Sequence, residues 1–186
     1  MKYFLLVVQF LLVCKVDAQT KGSVGFEMGP NIASIRGQNL KEEKLKPMAG
    51  LFAGVTFSCH FSDQLAVKTG VFYDVKGAKR DISLTDKNGY VLTETEFRDV
   101  FKYLTIPLMM NYSTNNKVNL FVNAGPYFSF LIQNTLEADN VPDYGNVKVE
   151  LTDEYKLSDF GVSFGIGISK DFGSGWNVRF EIRDNL

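Results

Sequence analysis

Asn119 to Ile132 reads NLFVNAGPYFSFLI. In an extended chain Leu120, Val122, Ala124, Phe128 and Phe130 fall on one side and Asn119, Asn123, Gly125 and Ser129 on the other, with Gly125-Pro126 in the middle. Soluble and membrane barrels share this alternation and differ in the side to which the apolar face points. Pro126 has no N–H for a sheet ladder, so a local bulge or bend is expected there.

Working outward from this stretch, period-2 runs bounded by turn residues recur at Ser23 to Ser34, Met48 to Phe61, Leu65 to Lys76, Phe101 to Tyr112, Val118 to Gln133, Ser158 to Asp171 and Trp176 to Arg183. Most reach the ~9–11 residues that a tilted strand needs to cross a bilayer, beyond the globular mode of about 5–6. The connections alternate in kind. Ser62-Asp63-Gln64, Thr114-Asn115-Asn116 and Gly173-Ser174-Gly175 read as tight hairpin turns, whereas Ile35 to Pro47, Gly77 to Val100 and Asn134 to Leu157 read as long polar loops. Short turns at one end and long loops at the other are the asymmetry of an antiparallel up-and-down transmembrane β-barrel.

Glycine decides which face looks inward. Gly25, Gly29, Gly50, Gly54, Gly70, Gly125, Gly161, Gly165 and Gly167 all share the polar register. A barrel of about eight strands has an interior just wide enough for side chains, so small residues belong inside. The opposite register, exemplified by Val71, Tyr73, Leu104, Ile106, Phe164, Ile166, Phe180 and Ile182, would then face outer-membrane lipid. Charged strand residues fall inward: Glu27, Lys68, Asp74, Asp159, Arg179, Glu181 and Arg183 form the expected structural network of the lumen. Each must find an opposite charge or water there.

The bulk composition agrees with a sheet protein. The 186 residues suit one domain, with 13% aromatic residues, 16 glycines and only five prolines. A net charge of -1 gives no reason to expect a nucleic-acid partner. At the N-terminus Lys2, the apolar run Tyr3 to Val13 and Val16-Asp17-Ala18 read as a secretory signal peptide, residues 1–18, with the barrel domain at 19–186. Val13 before Cys14 is too large for a lipidation site, and after cleavage only Cys59 remains, a small apolar filler that can form no intrachain disulfide.

Candidate chemistry is sparse. His60, the single histidine, abuts a tight turn at the periplasmic end, away from the outer leaflet where a lipid-modifying enzyme would act, so the chain reads as non-enzymatic. Ala138 to Asn146 carries oxygens that could hold calcium but lacks EF-hand spacing, and reads as a solvated loop. Lys41-Glu42-Glu43-Lys44 is balanced in sign and reads as a solvated loop crest. GVSFGIG, Gly161 to Gly167, precedes no Gly-Lys-Ser/Thr and is no phosphate loop. No cofactor, metal or catalytic residue is expected.

Several stretches resemble the PorT-like outer-membrane β-barrel family of Bacteroidota. FYDVKGAK at Phe72 to Lys79 is similar to its strand-three ending, YLTIPLMMNY at Tyr103 to Tyr112 to its Tyr-Leu-x-Ile-Pro-Leu strand, and NAGPYFSFLI and DFGVSFGIGISKDF to its Ala-Gly-Pro and Asp-Phe-Gly segments. The resemblance implies a small barrel of eight antiparallel strands, without known enzymatic activity, in a family named after a protein associated with secretion across the outer membrane. It also implies a closing strand after RFEIRDNL, so the seven runs seen here are expected to be a C-terminally incomplete barrel. The functional expectations are a binding or envelope-structural barrel with an unknown loop partner, an accessory to secretion, a soluble lipocalin-like carrier with the apolar register inward, or a lipid-modifying enzyme.

Overall fold

The computed structural model describes residues 21–33, 46–85, 90–141, 145–152, 158–173 and 176–186. Residues 1–18, expected as a signal peptide, and Lys41 to Lys44, expected as a loop crest, lie outside the described residues. The strands are β1 (Lys21–Ala33), β2 (Lys46–His60), β3 (Leu65–Thr85), β4 (Val91–Ser113), β5 (Asn119–Val141), β6 (Gly145–Glu150), β7 (Ser158–Asp171) and β8 (Asn177–Asn185). They form one antiparallel sheet in the order β1-β2-β3-β4-β5-β7-β8, with β6 paired to β5 off this path. The fold is all-β, as the alternation requires.

The two registers separate without ambiguity. Ile182 is 80% exposed and Phe164 60%, whereas Lys68 is 2% exposed and Asn123 1%. A sheet that exposes isoleucine and buries lysine is inside out relative to a protein dissolved in water. The apolar register therefore points away from the interior, which removes the carrier alternative, whose apolar side chains would surround a ligand.

Glycine permits the curvature. A Cβ at Gly165 would lie 2.7 Å from the Glu181 carboxylate and closer still to the Asn123 amide, and one at Gly167 would lie 2.5 Å from the Phe121 ring. The concave face is thus packed to the backbone at these positions, where side chains of β5 and β8, the two strands flanking β7, close over the glycines.

Three sequence expectations need correction. Gly77 to Val100 is not a loop: β3 and β4 run on as one long hairpin, of 21 and 23 residues, whose pairing reaches Leu84↔Thr93 in unbroken register. The segment expected as a loop after Gln133 likewise contains the end of β5 and the short strand β6. Charged residues such as Lys79, Arg80, Asp81, Glu96 and Arg98 hid this extension, because beyond a bilayer both faces of a sheet can be polar.

The third correction concerns Pro126. The β5–β7 pairing passes through Pro126↔Val162 without a shift, and the pairs Pro107↔Tyr127 and Met110↔Ala124 keep one count against β4. Proline is accommodated by omitted rungs opposite Leu108 instead of by an inserted residue. The bulge of β5 is at Ile132, between Lys102↔Gln133 and Tyr103↔Leu131. It falls where the outward residues of β4 and β5 change from Leu104 and Phe130 to Lys102 and Gln133.

At the ends of the path, β1 pairs with β2 and β8 with β7. The pairing of β8 extends to Leu186, which exchanges two backbone hydrogen bonds with Val162. Because β1 and β8 run in the same direction, a strand antiparallel to both would complete the ring in the sense of all the other pairs.

Candidate functional site

Inward positions on β1, β3 and β8 carry Glu27, Lys68, Glu181 and Arg183, and these four converge. Lys68 pairs with Glu27 and lies 3.4 Å from Glu181. Arg183 reaches Glu27 at 3.1 Å and Glu181 at 2.5 Å. Each carboxylate thus sits between two cations, and the cluster carries no net charge. Taking an ion out of water costs several kcal/mol, which only such mutual pairing offsets.

Arg179, also on β8, stands apart. Its guanidinium lies 3.9 Å from the centroid of the Phe121 ring, while Nε and Nη2 are buried without a hydrogen-bond partner. Stacking on an aromatic face compensates part of the lost hydration. Asp74 belongs to a second cluster, accepting a hydrogen bond from Asn31 at 2.6 Å and pairing with Lys76 at 2.9 Å. The Lys76 ammonium lies 5.7 Å from the Tyr103 ring centroid and 5.6 Å from that of Tyr127. Asp159, at the exposed start of β7, lies opposite Ser129, on the face that also carries Tyr127. The seven charged positions named from sequence are therefore split between a four-membered cluster, a stacked arginine, a second cluster around Asp74, and Asp159 at the start of β7.

Neutral pairs fill the remaining interior. Thr105 and Ser129 hydroxyls lie 2.8 Å apart, and Ser163 donates to Asn185 at 2.6 Å. Phe121, Met109 and Phe72 are buried among them. Asn31, Lys76 and Tyr127 were not singled out from sequence, although the spacing Asp74-x-Lys76 already places both side chains on one face.

The other candidates disperse. His60 ends β2 opposite Ala66, beside the turn at Ser62. Of the possible calcium segment, Asp139 pairs with Arg98, and residues 142–144 lie outside the described residues. No group of three or more His, Cys, Asp or Glu side chains that could hold a metal ion occurs among the described residues. Cys59 is buried.

A buried cluster of paired charges and a convex surface of exposed apolar residues together suit an integral barrel of an outer membrane. Neither a curated protein nor a solved structure matches the chain. The model of the outer membrane protein beta-barrel domain family matches residues 18–184, and the chain belongs to that family.

Proposed function

We propose that the protein is a non-enzymatic outer-membrane barrel whose outward register contacts lipid and whose elongated β3–β4 and β5–β6 hairpins form an external flange with a binding or envelope-structural role. The inversion of burial carries this reading: Phe160, Phe164, Ile166, Phe180 and Ile182 are exposed while Lys68 and Asp74 are buried. On β3 the outward apolar run from Leu65 to Val75 matches the ~9–11 residues that span a bilayer at a tilt of about 45°. Beyond it the strand continues to Thr85, so its final part stands outside the membrane. Lys68, Phe121, Met109 and Asn123 occupy the interior, which supports a plugged barrel without ion conduction.

The test is fractionation of cells producing the protein, with a urea wash of the membranes and electrophoresis of unheated samples. Recovery in the outer-membrane fraction and heat-modifiable migration are expected. A freely soluble mature protein would overturn the proposal.

A second reading, accessory to protein export, is favoured by the PorT-like stretches FYDVKGAK and YLTIPLMMNY, which contribute to the paired strands β3 and β4. Deleting the gene should then change the secreted proteome, and an unchanged secretome would count against it.

A further inference from the structure

The outer end of the sheet carries a row of charges that neither the lumen nor the turns explain. Cross-strand register places Lys46 opposite Lys79, Lys79 opposite Arg98, Arg98 opposite Glu137 and Glu137 opposite Lys148. Residues directly opposite in an antiparallel pair share a face, so these five form one transverse row. The β3–β4 register is unbroken from Leu65↔Tyr112 to Leu84↔Thr93, so Lys79 shares the outward face of Val71 and Tyr73. The row lies just beyond the apolar band, at the end opposite the turns at Ser62 and Thr114. Lys102, opposite Val75 on the same face, adds a further cation between row and band.

Three adjacent cations, Lys46, Lys79 and Arg98, are an unfavourable choice for a sheet, because like charges directly opposite repel. Acids one step farther out relieve part of this: Asp81 pairs with Lys46 at 2.5 Å, Glu96 with Lys79 at 3.0 Å and Asp139 with Arg98. These pairs are partly exposed, and pairs of that kind contribute about 0–1 kcal/mol, so a multivalent anion can displace them. The same cations border an open groove of about 610 Å³, which Pro47, Met48, Ala49, Val100 and the carboxylates Glu96 and Glu137 also line. Met48 lies over Gly77, where a Cβ would come within 2.8 Å of its terminal methyl. With three cations against two carboxylates the groove is net cationic and partly apolar, and it lies just beyond the outward apolar run of β3.

We propose that this groove binds the phosphate-bearing headgroup of a glycolipid of the outer leaflet, with Lys46, Lys79 and Arg98 on the phosphate and the acyl chains running down the apolar register of β3, β4 and β5. The inference rests on the outer-membrane placement proposed above. Guanidinium and ammonium groups together suit a phosphate monoester, Arg98 by its planar fork and the lysines as point charges.

The test uses the full mature protein refolded in uncharged detergent and titrated with diphosphoryl lipid A, with its dephosphorylated form and with inorganic phosphate, binding being read by native mass spectrometry. Diphosphoryl lipid A should bind as one adduct, at least tenfold more tightly than the dephosphorylated lipid, and millimolar inorganic phosphate should not displace it. K79Q/R98Q should lose about tenfold or more in affinity, roughly 1.4 kcal/mol. Should that variant fail to show heat-modifiable migration, E96Q decides instead, because releasing Lys79 from its acid should tighten binding. Equal binding of the two lipids, unaltered affinity in K79Q/R98Q, or weaker or unchanged binding in E96Q would overturn the site. Displacement by inorganic phosphate at low concentration would assign the groove to a free anion and overturn the lipid. Fractionation of the same cells tests the membrane placement separately, so its failure is distinguishable from failure of the site.

Discussion

Glu27 on β1 and Arg183 on β8 lie 3.1 Å apart although no ladder of backbone hydrogen bonds joins their strands. The first and last strands of the path are thus brought together by side chains across the interior. Lys68 on β3 and Glu181 on β8 complete the link. This four-membered cluster is the main polar connection between the two ends of the sheet.

Removing one member should therefore be costly. Lys68→Met leaves two carboxylates facing one arginine in a buried setting, and an expected loss of about 3–5 kcal/mol follows from breaking a buried ion pair. Lys68→Met/Glu181→Gln restores neutrality and should recover most of it. Urea unfolding in detergent micelles, followed by Trp176 fluorescence, measures both. A single variant within about 1 kcal/mol of the parent would mean that water, and not pairing, stabilises these charges.

Gly165 separates packing from composition. Gly165→Leu places a side chain where Asn123 and Glu181 already lie, and overpacking of this kind costs about 1–3 kcal/mol or more. Its outward neighbour Ile166→Leu should be nearly neutral. The fraction of heat-modifiable protein after refolding gives the comparison, and equal yields for the two would contradict a filled concave face.

Hydrogen exchange should follow the sheet order. The segments of β3, β4 and β5 that are paired on both sides are expected to exchange slowest, and β1 and β8, each paired on one side, fastest among the long strands. Mass spectrometry of peptides from protein in micelles checks this. Uniform protection across all strands would show that the edges of β1 and β8 are covered.

Much of this architecture was legible in the sequence because period 2 and glycine placement speak about the same thing. Gly165 and Gly167 share the register of Asp159 and Ser163, and that coincidence by itself points the charged side inward. The elongation of β3 and β4 was hidden because Lys79, Arg80, Asp81 and Glu96 read as loop residues when strands are sought by oil alone. Outside a bilayer an outward position no longer needs to be apolar, so the hydrophobic signal stops before the strand does.

Pro126 misled in the opposite direction. A residue without an N–H suggests a bulge or bend, yet losing ladder rungs opposite Leu108 leaves the count intact, and the inserted residue is Ile132, which has no distinguishing chemistry. The clustering of Glu27 with Lys68, Glu181 and Arg183 was equally beyond reach, since it depends on which strands curl to face one another. Sequence supplied the face of each charge; curvature supplied its partners.

On the outward face, Ile166→Arg should cost about 2–4 kcal/mol if the position lies near the bilayer midplane, because a guanidinium there meets hydrocarbon. Refolding into vesicles with urea titration measures the change. A cost below about 0.5 kcal/mol, as at ordinary water-exposed sites, would contradict membrane exposure of β7.

The most direct measurement of the central claim is quenching by brominated acyl chains. Trp176→Phe provides a background without tryptophan, the chain having one, into which Phe164→Trp and Phe121→Trp are introduced separately. Phe164 is 60% exposed and Phe121 2%, on opposite faces of the sheet. In vesicles of brominated phosphatidylcholine the tryptophan at 164 should be strongly quenched and that at 121 nearly unaffected. Strong quenching at 121 with protection at 164 would mean that the apolar register faces inward, and the barrel would have been read inside out.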